Sequence, residues 1–250
     1  MAMQKQYARE LMRFIDQSPS VYHVIENAGK KLEAAGFTRL NLSDAFQLKP
    51  AGKYFVTANG SALIAWQMSR EKKARGFKLI GSHSDSPCLR IKPAPELTVQ
   101  DHYLKLNTEV YGGPILSTWF DRPLSCAGRV IVRSDDPLSP QEALVAFPDS
   151  PLVIPNLAIH MNREVNDGYK IDRQKDLLPL LGIINKTFEK KDFLITLLAK
   201  QLSISVESIL DFDLYLYDTQ PGCFCGLSDE FFSTGKIDNL GMAYASIDAL

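Results

Sequence analysis

His83 and Asp85 stand two residues apart in Phe77-Lys78-Leu79-Ile80-Gly81-Ser82-His83-Ser84-Asp85-Ser86-Pro87, where an apolar run stops abruptly. A neutral imidazole is a good zinc ligand, and a carboxylate nearby can accept its other ring N–H, fixing the tautomer and raising basicity. The spacing leaves open whether Asp85 reaches His83 directly or acts across a site. Alone, His-x-Asp is also the pattern of a loop histidine beside a solvated aspartate. A further carboxylate, Asp238, lies in Gly235-Lys236-Ile237-Asp238-Asn239-Leu240. On its residues alone, Asp238-Asn239 reads as an N-cap, because Leu240, Ala243, Tyr244, Ile247 and Leu250 follow at helical spacing. His160 ends the run Ala158-Ile159, an ordinary place for a core or cap histidine, and His23 falls inside a helical pattern between stripe residues, a surface or half-buried position.

Positioning such residues needs elements around them. Phe77, Leu79 and Ile80 predict a buried strand, and the small residues Gly81, Ser82 and Ser84 suit the close approach needed where a strand ends at a site. Tyr7, Leu11, Phe14 and Ile15 predict a helix over 4–16 that stops before Ser18-Pro19. Val21, Val24, Ile25, Ala28 and Leu32 predict a second, capped by Ser18 or Ser20 and closed at Gly36. Asn59-Gly60 predicts a hairpin between runs 53–57 and 62–68, and the basic run 69–75 reads as a solvated loop. From Leu89 to Tyr217 short strand-like runs (89–92, 103–106, 128–133, 152–154, 211–217) alternate with turns, with one clear helix at 192–202. Gly112 and Gly113 suit a tight turn, and Trp119 and Phe120 a packed anchor.

Composition narrows the function classes. The 250 residues are 45% hydrophobic and 23% charged with a net charge of -1, an ordinary globular balance that gives no reason to expect nucleic acid or membrane as a partner. No run approaches the roughly 18–20 apolar residues of a membrane span, and the first residues lack a signal-peptide core, so the expected location is cytoplasmic. Cys88, Cys126, Cys223 and Cys225 match neither a disulfide framework nor a zinc ribbon. No G-x-S-x-G elbow supports a serine hydrolase, and no glycine loop carries the Lys-Ser or Lys-Thr of a phosphate cradle.

Six segments come in a recognisable order: 81–87, Tyr111-Gly112-Gly113, 118–124 (Thr-Trp-Phe-Asp-Arg-Pro-Leu), 127–130 (Ala-Gly-Arg-Val), 154–163 around His160, and 237–240 (Ile-Asp-Asn-Leu). In that order and at about those separations the chain resembles the M18 metallo-aminopeptidases, whose best-known members are aspartyl aminopeptidases. The resemblance implies an α/β fold: a partial zinc-exopeptidase domain at 1–92 plus 233–250, interrupted by an inserted, largely β dimerisation domain at 93–232. It implies two Zn2+ ions per site (Co2+ or Mn2+ as substitutes), with His83 and Asp238 as metal ligands. Asp238 is then the bridging carboxylate, which offsets repulsion between the ions. Asp85 is implied as a catalytic residue beside His83. His160 is implied as a catalytic accessory reaching a neighbouring subunit's site. Substrates are implied to be peptides that lose their N-terminal residue, acidic in the best-known relatives, and assembly a homodimer and higher homo-oligomer. The family has an acidic residue where this chain has Pro123. It also has a Glu-Glu pair, an aspartate and a histidine beyond Leu250, so a non-catalytic assembly module is the alternative expectation.

Overall fold

In the computed structural model, which describes residues 2–71, 76–149, 151–184 and 192–250, the elements follow the order of periodicities along the chain. They are α1 (Ala2–Asp16), α2 (Val21–Ala34), β1 (Thr38–Arg39), β2 (Lys53–Ala58), β3 (Ala62–Gln67), β4 (Cys88–Val99), β5 (Tyr103–Tyr111), β6 (Leu124–Val132), β7 (Gln141–Ala146), β8 (Leu180–Ile183), α3 (Phe193–Leu202), β9 (Ile209–Asp218), β10 (Cys223–Cys225), β11 (Phe231–Ser233) and α4 (Ile237–Asp248). The chain divides into two units, Met1–Ser86 with Pro221–Leu250, and Pro87–Gln220. These boundaries differ from the expected 92/93 and 232/233. A cut at 92/93 would sever the continuous strand β4, and the β10–β11 hairpin falls in the first unit. Residues 72–75 of the basic run lie outside the described residues.

In the first unit, the stripe on α1 buries Leu11, Phe14 and Ile15 against Val24 of α2 and Leu240, Ala243 and Tyr244 of α4. The predicted capping serine of α2 is present at Ser20, but its side chain makes no cap hydrogen bond. Its hydroxyl instead meets His23 Nδ1 at 2.8 Å. The helix closes as glycine allows: Gly36 has φ +84, and the N–H groups of Gly36 and Phe37 return to the carbonyls of Glu33 and Leu32. The hairpin β2–β3 turns at Asn59 and Gly60, both left-handed (φ 50 and 62), the geometry that makes Asn-Gly a strong hairpin signal. Phe55 of β2 packs with Leu32 and Phe37 beneath it.

The strand expected over 77–80 is not formed. Phe77, Leu79 and Ile80 are 93%, 89% and 60% exposed, and residues 76–80 have no strand assignment. An apolar run becomes a strand only with a neighbour to complete its hydrogen bonds. Among the described residues no strand pairs with this one.

The second unit is a six-stranded sheet in the order β7-β6-β9-β4-β5-β8, antiparallel at every pairing. Leu89 and Ile91 of β4, Leu106 of β5, Leu124 and Val130 of β6 and Leu214 and Leu216 of β9 form one core, which Leu194 and Leu198 of α3 join. Each buried leucine of this kind contributes about 1.5–3 kcal/mol. Where β6 pairs with β9, Gly128 permits an approach that no side chain would: a Cβ there would run into the Asp213 carbonyl oxygen. The first N–H groups of a helix lack intrahelical partners, and at α3 one of them is satisfied from β4, as Leu194 N–H donates to Glu96 Oε1 at 2.9 Å. In place of the strand expected over 152–154, Leu152 and Val153 form isolated bridges. Gly112 (φ +73) makes the expected turn, and Trp119 and Phe120 pack against the core.

Candidate metal centre

His83 lies on a largely exposed loop, and its Nδ1 is 3.2 Å from Asp85 Oδ1. The spacing question is therefore resolved in favour of direct contact. An ionised carboxylate only accepts hydrogen bonds, so Nδ1 carries the proton and Nε2 is left with the lone pair a metal needs. Ser84 Oγ donates to the Ser61 carbonyl at 2.9 Å, fixing this loop to the end of the β2–β3 hairpin.

Asp238 reaches the same neighbourhood from a position 153 residues further along the chain than Asp85. Its backbone is extended (φ -88, ψ 102) within the first turn of α4, and the Asp238–Asn239 peptide is cis. Asn239 makes the join: its N–H donates to Ser86 Oγ at 3.2 Å and its side-chain amide to the Asp85 carbonyl at 3.0 Å. Lys236 fixes the other side of the turn, donating from Nζ to the carbonyls of Ile15 (3.2 Å) and Ser18 (2.7 Å) where α1 ends. Burial of Leu240, Ala243 and Tyr244 then holds α4 itself. His23, beside the same turn, has its pKa lowered to about 4, chiefly by burial and next by the Lys236 ammonium.

His83, Asp85 and the Asp238 turn are thus assembled within one unit. His160 belongs to the other. It lies on the exposed turn in which Met161 and Asn162 N–H return to the Ala158 carbonyl. Sequence reasoning missed Asn239 and Lys236 as the residues that hold the Asp238 turn. A helix-start Asn and a surface-type Lys carry no local mark of partners more than a hundred residues away.

An imidazole nitrogen with a fixed tautomer and a carboxylate suit zinc in kind. In number they stop short: among the described residues no group of three or more His, Cys, Asp or Glu side chains is placed to hold a metal ion. The four cysteines add nothing here, and burial pushes the Cys126 thiol up to about 12. No helix among the described residues is long and apolar enough to cross a membrane.

Comparison with known proteins bears on the same residues. The profile of the family described as aminopeptidase I zinc metalloprotease (M18) matches residues 14–250. Probable M18 family aminopeptidase 2 of Clostridium acetobutylicum is 49% identical over 246 residues, covering 98% of this chain and 57% of that protein. The cryo-EM structure of the Ape4 and Nbr1 complex matches with a TM-score of 0.92 at 33% identity, over 99% of this chain and 50% of that one. The structure of the S. cerevesiae mApe1 dodecamer matches with a TM-score of 0.74 at 25% identity, over 90% of this chain and 51% of that one. The chain spans a little over half the length of the relatives it matches.

Proposed function

The chain belongs to the M18 family of zinc metalloproteases, and from that premise we propose that it contributes His83 and Asp238 to the metal centre of an aminopeptidase that removes N-terminal residues from peptides. The observation that carries this reading is the Asn239 bridge, which brings the Asp238 turn against the His83-x-Asp85 loop.

In this reading Asp85 acts through His83, keeping the proton on Nδ1 and the lone pair on Nε2 turned outward. Asp238 would be the carboxylate that holds the metal beside His83. A zinc ion held by His83 and Asp238 would supply water of lowered pKa and a Lewis acid for the peptide carbonyl, with Co2+ or Mn2+ as substitutes. His160 acts on substrate in a partner subunit, as a group supplied across a homodimer of the unit Pro87–Gln220, within a larger homo-oligomer. Preference for an acidic N-terminal residue follows the best-known relatives.

The test is release of N-terminal Asp, Glu or Leu from short peptides with zinc, cobalt or manganese supplied. Release abolished both by a chelator and by His83→Ala supports the reading, and release that survives both overturns it. No release from the well-folded 250-residue chain would assign it the non-catalytic, assembly role instead.

A further inference from the structure

The segment carrying His160 has neither helix nor strand over 155–175, yet carboxylates tie it at both ends. At its start Asp121 accepts two hydrogen bonds from Asn156, one from the backbone N–H and one from the side-chain amide, each 2.9 Å. The Asp121 N–H donates in turn to the Ile154 carbonyl at 2.9 Å, and Leu124 pairs antiparallel with Leu152. Residues 121–124 and 152–156 therefore form a short ladder whose last rung is the Asp121 carboxylate. Asp121 sits in the left-handed region (φ 55), which aspartate tolerates better than most residues. At the other end Asp176 accepts from the Tyr169 hydroxyl at 2.7 Å and the Asp172 N–H at 2.8 Å.

Between the two ties burial does little. Leu157, Ile159 and Met161, which surround His160, are each more than half exposed. A side chain whose neighbours are not packed takes its direction from the backbone, and the backbone here takes its direction from its anchors. Asn156 is four residues before His160, with the Ala158 turn between them. The two bonds from Asn156 hold the Asp121 carboxyl below its usual range, as expected of a carboxylate committed to donors.

We infer that Asp121 is a positioning residue for His160, acting through its two-point grip on Asn156. The inference rests on the role proposed above for His160, but its test does not depend on turnover.

The hydrogen-bond chemistry fixes a distinctive series. Asn156→Asp sets two carboxylates face to face and breaks the grip. Asp121→Asn alone preserves it, because the Asn156 amide can rotate to accept where it had donated. Asp121→Asn with Asn156→Asp restores it, the new amide donating to the new carboxylate and accepting the backbone N–H at 156. The chain has four histidines, so their ring signals in a heteronuclear NMR spectrum report each one separately. The expected result is a shift and broadening of the His160 signals in Asn156→Asp, with His23, His83 and His102 unmoved, and recovery in the double variant. Tryptic cleavage after Arg163 should rise roughly threefold or more in Asn156→Asp and recover likewise. Asn156→Ala serves in place of Asn156→Asp if the latter does not fold. His160 signals unmoved by loss of the grip, or no recovery in the double variant, overturn the inference. The parent reading fails separately, if His160→Ala leaves peptide turnover unchanged.

Discussion

Acidification should weaken this protein through His23. Its ring, on α2, is partly buried, with Ser20 Oγ at 2.8 Å and Lys236, Lys30 and Glu26 as the charged groups around it. Unfolded, the ring takes a proton near 6.5; folded, it resists until about 4. Between those values the unfolded state binds more protons, so stability falls as pH drops from 6.5 towards 4 and is unaffected by this group above 6.5. A difference of about 2.5 pH units corresponds to roughly 3.4 kcal/mol at most, and partial exposure reduces this to about 2 kcal/mol. The new charge would face the Lys236 ammonium, which anchors the Asp238 turn to the end of α1, so the loss is expected to begin at the candidate site. Urea unfolding at pH 7.5, 5.5 and 4.5, with His23→Gln alongside, measures it. The wild-type chain should lose about 1.5 kcal/mol more than the variant between the extremes. Equal losses in both would refute the reasoning.

Two further substitutions test the packing that positions the site. Gly128→Ala forces a Cβ against the Asp213 carbonyl and should destabilise the second unit by about 1–3 kcal/mol or more, seen as a lowered urea midpoint. Lys236→Met removes two charge-assisted hydrogen bonds to Ile15 and Ser18 and should cost about 1.5–3 kcal/mol, with amide exchange rising first around 236–240.

The parts of the fold that were legible in the sequence are those specified locally. The stripes of α1 and α2, the glycine closing α2 and the Asn-Gly hairpin follow from residues within a few positions of one another. Strands β7 and β8 escaped notice because Gln141–Ala146 is rich in residues that suit helices equally and Leu180–Ile183 is short; both are strands by virtue of their neighbours β6 and β5. The same dependence explains the opposite error at 77–80, where strand-like residues have no described strand beside them. At the site, the types of His83, Asp85 and Asp238 were readable, as was their likeness to a known family. Their assembly was not. It depends on Asn239 meeting Ser86 and the Asp85 carbonyl, and on Lys236 meeting the end of α1, contacts between residues about 150 and 220 positions apart. The Asp121 grip on Asn156, across 35 positions, was hidden for the same reason.

The central claim, that His83 and Asp238 face one cation position, is tested most directly by titrating the chain with paramagnetic Co2+ while following its four histidine ring signals. His83 is expected to broaden first while His102 and His160 remain sharp, and Asp238→Asn is expected to abolish the selectivity. Broadening of His83 no earlier than the other exposed histidines, or selective broadening unchanged by Asp238→Asn, would contradict it.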